Sequence, residues 1–162
     1  YMSINIFPSS LTEDGFPEFI KRAAQEYAVP TDRICLEIIE SSITNMSAVE
    51  ELSSLRAHGF KIPIDDFGWG FSSLSRLLEL PADIVKFDRK FLHQGGDSSE
   101  LRSFLLLARD LVKSCHITTL AEGVESELDW SIVRDVGFDY AQGYWLGVPL
   151  AENEVVQLLR ES

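Results

Sequence analysis

A chain of 162 residues that is 45% hydrophobic and 25% charged, with 10 glycines and 6 prolines, has the composition of a folded globular domain, which excludes a disordered, collagen-like or disulfide-stapled chain. Its 26 acidic against 14 basic residues give a net charge of −12, which argues against sequence-independent binding to DNA or RNA duplexes or to anionic membrane, and no apolar run approaches the roughly 18 residues of a spanning helix. The length suits one domain, over 1–162, but is short for a closed (β/α)8 barrel of about 250 residues.

Short aliphatic runs closed by polar residues alternate with stretches of helical period. A strand over 1–7 carries Asn5 after Ile4 and leads to a helix over 16–27. The strand over 33–39 places Glu37 after Leu36, with Glu40 just beyond, and precedes a helix over 47–58. The strand over 61–65 runs into Asp65 and Asp66, followed by Gly68, Gly70 and a helix over 72–78. A strand over 83–87 holds Lys86 after Val85, and the polar stretch 93–100 reads as an exposed loop. In the helix over 99–114, Leu101, Leu105, Ala108 and Val112 recur at spacings of three and four, which predicts a buried stripe. The strand over 118–121 runs into Glu122 and Glu125 and a helix over 125–136; a weaker strand over 140–143 contains Gln142, and a helix over 152–160 follows.

This alternation predicts α/β architecture with right-handed crossovers and strands covered on both faces of a parallel sheet. At about 25–30 residues per unit, eight units need roughly 220–250 residues, so six units describe either an open sheet or the last six units of a (β/α)8 TIM-like barrel. The strand pattern that opens directly at Tyr1 favours the barrel, with its first units upstream. Cys35 and Cys115, set among aliphatic residues, read as reduced thiols of a cytoplasmic domain, and His58, His93 and His116 as surface or structural residues.

The polar residues converge at the carboxyl ends of the strands, where ligands bind in barrels and open α/β sheets. Ionised carboxylates inside apolar sequence are costly without a partner, and Lys86 is the sole cation near the carboxyl end of a predicted strand. A divalent cation supplies the missing charge. Oxygen donors suit Mg²⁺, Mn²⁺ or Ca²⁺, and adjacent Asp65 and Asp66 suit a bridged pair of cations that would let an acidic protein hold a phosphate-bearing substrate.

Read together, Ser3-Ile4-Asn5, Glu37-Ile38-Ile39-Glu40-Ser41, Asp65-Asp66-Phe67-Gly68-Trp69-Gly70, Lys86-Phe87-Asp88, Ala121-Glu122-Gly123-Val124-Glu125 and Gln142-Gly143-Tyr144 resemble, in order and spacing, the EAL family of cyclic di-GMP phosphodiesterases. The resemblance implies a (β/α)8-type barrel whose first strands, with the Glu-Ala-Leu signature and its metal-ligating glutamate, precede Tyr1. It implies Mg²⁺- or Mn²⁺-dependent hydrolysis of cyclic di-GMP to linear pGpG by the parent, with the 162 residues by themselves weak or inactive. In this reading Asn5, Glu37 and Asp65 hold a first metal, and Asp65 and Asp66 reach a second. Lys86 positions the attacking water or stabilises the phosphorane, and Glu122 is general base or second-metal ligand. Glu125 and Gln142 line the mouth, while Glu40 anchors the loop 67–73, through which the family forms homodimers.

Phe7, Ile39, Trp69 and Phe87 depart from the residues common in the family, and none removes a ligand. Two other readings remain at this point: a non-catalytic cyclic di-GMP receptor, and a barrel hydrolase of another kind that uses paired acids without metal.

Overall fold

Six strands run parallel, hydrogen-bonded in the order in which they occur in the chain: β1 (Met2–Asn5), β2 (Ile34–Ile39), β3 (Pro63–Asp65), β4 (Ile84–Phe87), β5 (Thr118–Ala121) and β6 (Tyr140–Ala141). The connections carry helices α1 (Pro8–Leu11), α2 (Phe16–Glu26), α3 (Met46–Ala57), α4 (Leu74–Glu79), α5 (Lys90–His93), α6 (Ser99–Ser114) and α7 (Glu127–Val136), and α8 (Glu152–Glu161) closes the series. This computed structural model describes residues 1–13, 15–67, 74–93 and 98–161. The sheet curls as part of a TIM-like barrel: six consecutive strand-helix units with strand order equal to chain order.

Side chains alternate along each strand. Leu36, Ile38, Ile64, Val85 and Phe87 point outward and pack with Leu52 and Leu55 of α3 and Val112 of α6 in the main core. Ala121 joins a second cluster with Leu105 of α6 and Ile132, Val133 and Val136 of α7. The alternate residues, among them Ser3, Glu37, Lys86 and Gln142, border a cavity of about 290 Å³ on the concave side. All four residues of β1 are exposed, and it is bonded to β2 alone among the described strands.

Several boundaries shift for local reasons. Pro8 at the start of α1 ends the strand predicted over 1–7, since its missing N–H suits a first helical turn. The strand predicted over 61–65 shortens because the Ile62 N–H is taken by the Asp83 carboxylate at 3.0 Å. Ser126 caps α7 reciprocally with Asp129, moving its start to Glu127. The stripe on α6 holds: Leu105 and Val112 are fully buried. Cys35 and Cys115 are both free thiols, and His58 and His116 are exposed. Among the described residues, no helix is long and apolar enough to cross a membrane.

Candidate active site

Inward-facing residues of four adjacent strands meet at one ammonium. Lys86, on β4, lies 2.5 Å from Glu37 Oε1 of β2, 2.6 Å from Glu122 Oε1 just past β5, and 3.5 Å from Asp65 Oδ1 at the end of β3. The second oxygen of Glu37 accepts a 2.5 Å hydrogen bond from Ser3 Oγ on β1. Each strand brings its residue here by the same logic: apolar neighbours on the outward face fix the strand under the helices, and the intervening position is left to face the concavity. Lys86 and Glu37 are buried, with side chains only 7% and 10% exposed.

The electrostatics follow from this packing. Burial alone would lower the pKa of Lys86, but its hydrogen bonds to Glu122 and Glu37 and the charge of Asp65 raise it, so the ammonium is fixed. Burial pushes the Glu37 carboxyl up, and hydrogen bonds from Lys86 and Ser3 more than reverse that, holding it below the usual range. Glu122 ends on the other side: burial, aided by like charge on Asp65 and Glu37, outweighs Lys86 and keeps it above the ordinary glutamate value. Two carboxyls on one ammonium are thus driven apart, Glu37 below its ordinary value and Glu122 above it.

The remaining sequence-predicted residues lie on or just after the strands: Asn5 on β1, Asp66 after β3, Glu125 after β5, Gln142 after β6 and Glu40 after β2. Asn5 stands beside Glu37 in the β1–β2 register and is exposed. Asp66 takes a left-handed conformation, φ +54°, its N–H donating to Asp65 Oδ1 at 2.9 Å. Burial, a hydrogen bond with Asp88 and the charge of Asp65 raise Asp66. For Asp88, the Lys90 N–H, at 2.7 Å, and the contact with Asp66 overcome burial and lower its pKa. Asp88 was not among the predicted site residues; its signal is its place two residues beyond Lys86. Glu125 is exposed and pairs with Arg89 at 3.5 Å. Gly123 permits the approach of those two loops: at φ +68°, a Cβ there would fall 2.1 Å from that of Arg89. Gln142 borders the cavity, its backbone bonded to Ala121 and Val124, and is exposed. Glu40 is buried in the short turn Glu40–Ser42 that follows β2. The loop it was expected to anchor lies, from residue 68 to 73, outside the described residues, as does Trp69.

The donor set suits a hard divalent cation, since Glu37, Asp65 and Glu122 offer oxygen and already face one positive charge, the Lys86 ammonium. Among the described residues, no group of three His, Cys, Asp or Glu side chains stands ready to hold a metal ion; the ammonium stands between the carboxylates that would do so.

Comparison with known proteins gives the family. The EAL domain family model matches residues 1–149. Cyclic di-GMP phosphodiesterase PdeB of Shewanella oneidensis is 35% identical over 150 residues, covering 91% of this chain and 18% of its own length. The chain thus spans about a fifth of the length of such curated relatives. Among solved structures, the EAL domain of Mycobacterium smegmatis DcpA superposes with a TM-score of 0.90 at 33% identity, over 98% of this chain and 72% of that one. Klebsiella pneumoniae BlrP1, in a manganese and cyclic di-GMP complex, gives a TM-score of 0.79 at 28% identity, over 88% of this chain and 37% of that one. With its strand order, its inward-facing acids and a family match over nearly its whole length, the chain belongs to the EAL domain family.

Proposed function

We propose that the protein carrying this chain hydrolyses one 3′,5′-phosphodiester of cyclic di-GMP to linear pGpG with the help of Mg²⁺ or Mn²⁺. The observation that carries the reading is the convergence of Glu37, Asp65 and Glu122 on one cationic point at the carboxyl ends of the strands. Asn5, Glu37 and Asp65 would hold one cation, and Asp65 and Asp66 a second. Two bound divalent cations supply a lowered pKa for an attacking water and offset charge on the phosphoryl oxygens. Glu122, with its raised pKa, takes the proton of the attacking water or completes the second cation site. Lys86 presents a permanent positive charge to the pentacoordinate phosphorus. In this reading Glu125 and Gln142 would line the mouth and meet the substrate. Glu40 would anchor the loop 67–73 and couple homodimerisation to activity, and the reading places the protein's EAL domain in the cytoplasm.

The test is hydrolysis of cyclic di-GMP, followed by chromatography of the products, with Mg²⁺ or Mn²⁺ and after chelation. Metal-dependent appearance of pGpG is expected. Binding of cyclic di-GMP without turnover would instead make the domain a receptor, and turnover that survives chelation would overturn the metal assignment.

A further inference from the structure

Of the residues in the described strands, only Lys86 is a lysine or arginine, and it is spent on the oxygens that a divalent cation needs. Its ammonium takes Oε1 of Glu37 and Oε1 of Glu122 and stands 3.5 Å from Asp65, while Ser3 holds the other Glu37 oxygen. Without the ammonium, three acidic side chains, each no more than 22% exposed, would face one another unneutralised. With it, an arriving dication meets a like charge that is already bonded to its ligands.

From this geometry we infer that Lys86 is an internal counter-ion that competes with the divalent cation for Glu37 and Glu122: it holds the carboxylates together in the metal-free chain and is displaced from them when the cation loads. The inference rests on the divalent-cation reading above. It makes metal affinity weaker than the oxygen donors alone would give, and it frees the Lys86 charge at the site in the loaded state, where an anionic phosphodiester can take it up. A lysine serving only the substrate would leave metal affinity unchanged when replaced by a neutral side chain of similar length.

Calorimetric titration of Mn²⁺ into the protein carrying this chain and into its Lys86→Met and Lys86→Arg variants, with melting curves for each, separates these cases. Lys86→Met is expected to bind Mn²⁺ at least tenfold more tightly, to melt lower without metal, and to gain more in Tm on Mn²⁺ addition than the parent. Lys86→Arg, which keeps the charge, stays within threefold of the parent affinity. A folded Lys86→Met that binds Mn²⁺ no more tightly than the parent overturns the inference while leaving the metal reading intact. Loss of Mn²⁺ binding in all three proteins overturns both. If Lys86→Met fails to fold without metal, recovery of folding by Mn²⁺ supports the inference. If it folds under neither condition, the ¹⁵N resonance of Lys86 Nζ in the parent decides: a shift on Mg²⁺ saturation supports displacement, and an unmoved resonance overturns it.

Discussion

The two ends of the same parallel sheet use carboxylates in opposite ways. At the amino end, Asp83, just before β4, accepts the Ile62 N–H and pairs with Arg56 at 3.0 Å. Asp139, just before β6, accepts both the N–H and the hydroxyl of Thr119, at 2.9 and 2.7 Å, and pairs with Lys113 at 2.7 Å. Each acid there stitches one strand to its neighbour and has its own cation. At the carboxyl end, Glu37, Asp65 and Glu122 share one ammonium, and their charge is left in excess. Satisfied polar groups stabilise a fold; an unbalanced cluster costs stability and is held in place by the surrounding packing, which is where ligand chemistry is expected in such folds.

The largest effect separating the two ends is expected at Glu122. Glu122→Gln removes one negative charge from a cluster that already disfavours it, since burial holds the folded-state pKa of Glu122 above its ordinary value. Turnover of cyclic di-GMP should fall by about 10²–10⁴-fold, the usual contribution of a general base, while Tm stays level or rises. Paired kinetics and calorimetry check both halves. A variant that loses several degrees of Tm along with its activity would show that Glu122 supports the fold in the manner of the amino-end acids.

How much of this contrast is legible in the sequence depends on distance along the chain. The inward residues of each strand are readable because a polar residue interrupts an aliphatic run, as Glu37 does between Leu36 and Ile38. Helices α2, α6, α7 and α8 are readable from period, while α1 and α5, at four residues each, are too short to show one. The meeting of Lys86 with Glu37, 49 residues away, is fixed by register and by the reach of the lysine stem, which no local pattern encodes. For the same reason one lysine engages more of the carboxylate charge than counting cations suggests. The clamps at Asp83 and Asp139 left a faint signal, an aspartate directly before an apolar or aromatic strand start, which is as easily taken for turn chemistry. Asp88 is hidden similarly, because its partner Asp66 is 22 positions back and itself takes a left-handed conformation.

At the amino end the expected order is reversed, with stability moving and activity fixed. Asp139→Ala strands the N–H and hydroxyl of Thr119, which is fully buried. The cost is about 2 kcal/mol, or roughly 4–8 °C in Tm for a chain of this size. Mn²⁺ affinity should not change. The pH dependence follows in sign: burial raises Asp139, but the Lys113 and Thr119 contacts more than offset it, so its folded pKa lies below the unfolded value. Its contribution is therefore present above the ordinary aspartate pKa and lost as pH falls through the lower folded one. The Tm gap between the parent and Asp139→Ala should be constant near neutrality and close in acid. A gap that persists to the lowest pH at which both proteins fold would assign the loss to packing.

The smallest effect tests which part of an amino-end clamp matters. Arg56 is half-exposed, at 51%, and its pairing with Asp83 is open to solvent and salt. Arg56→Ala should cost less than about 1 kcal/mol, and less still in 1 M NaCl, because the exposed pair is screened while the Asp83 carboxylate keeps the Ile62 N–H. Chemical denaturation with urea at low and high salt measures both. A loss as large as that of Asp139→Ala would mean that the clamps draw their strength from the ion pair; a loss near zero would leave the backbone N–H as the partner that makes these acids structural. The two ends would then differ in what their carboxylates are bonded to: peptide groups, which are present wherever the chain folds, or a single ammonium, whose place another cation can take.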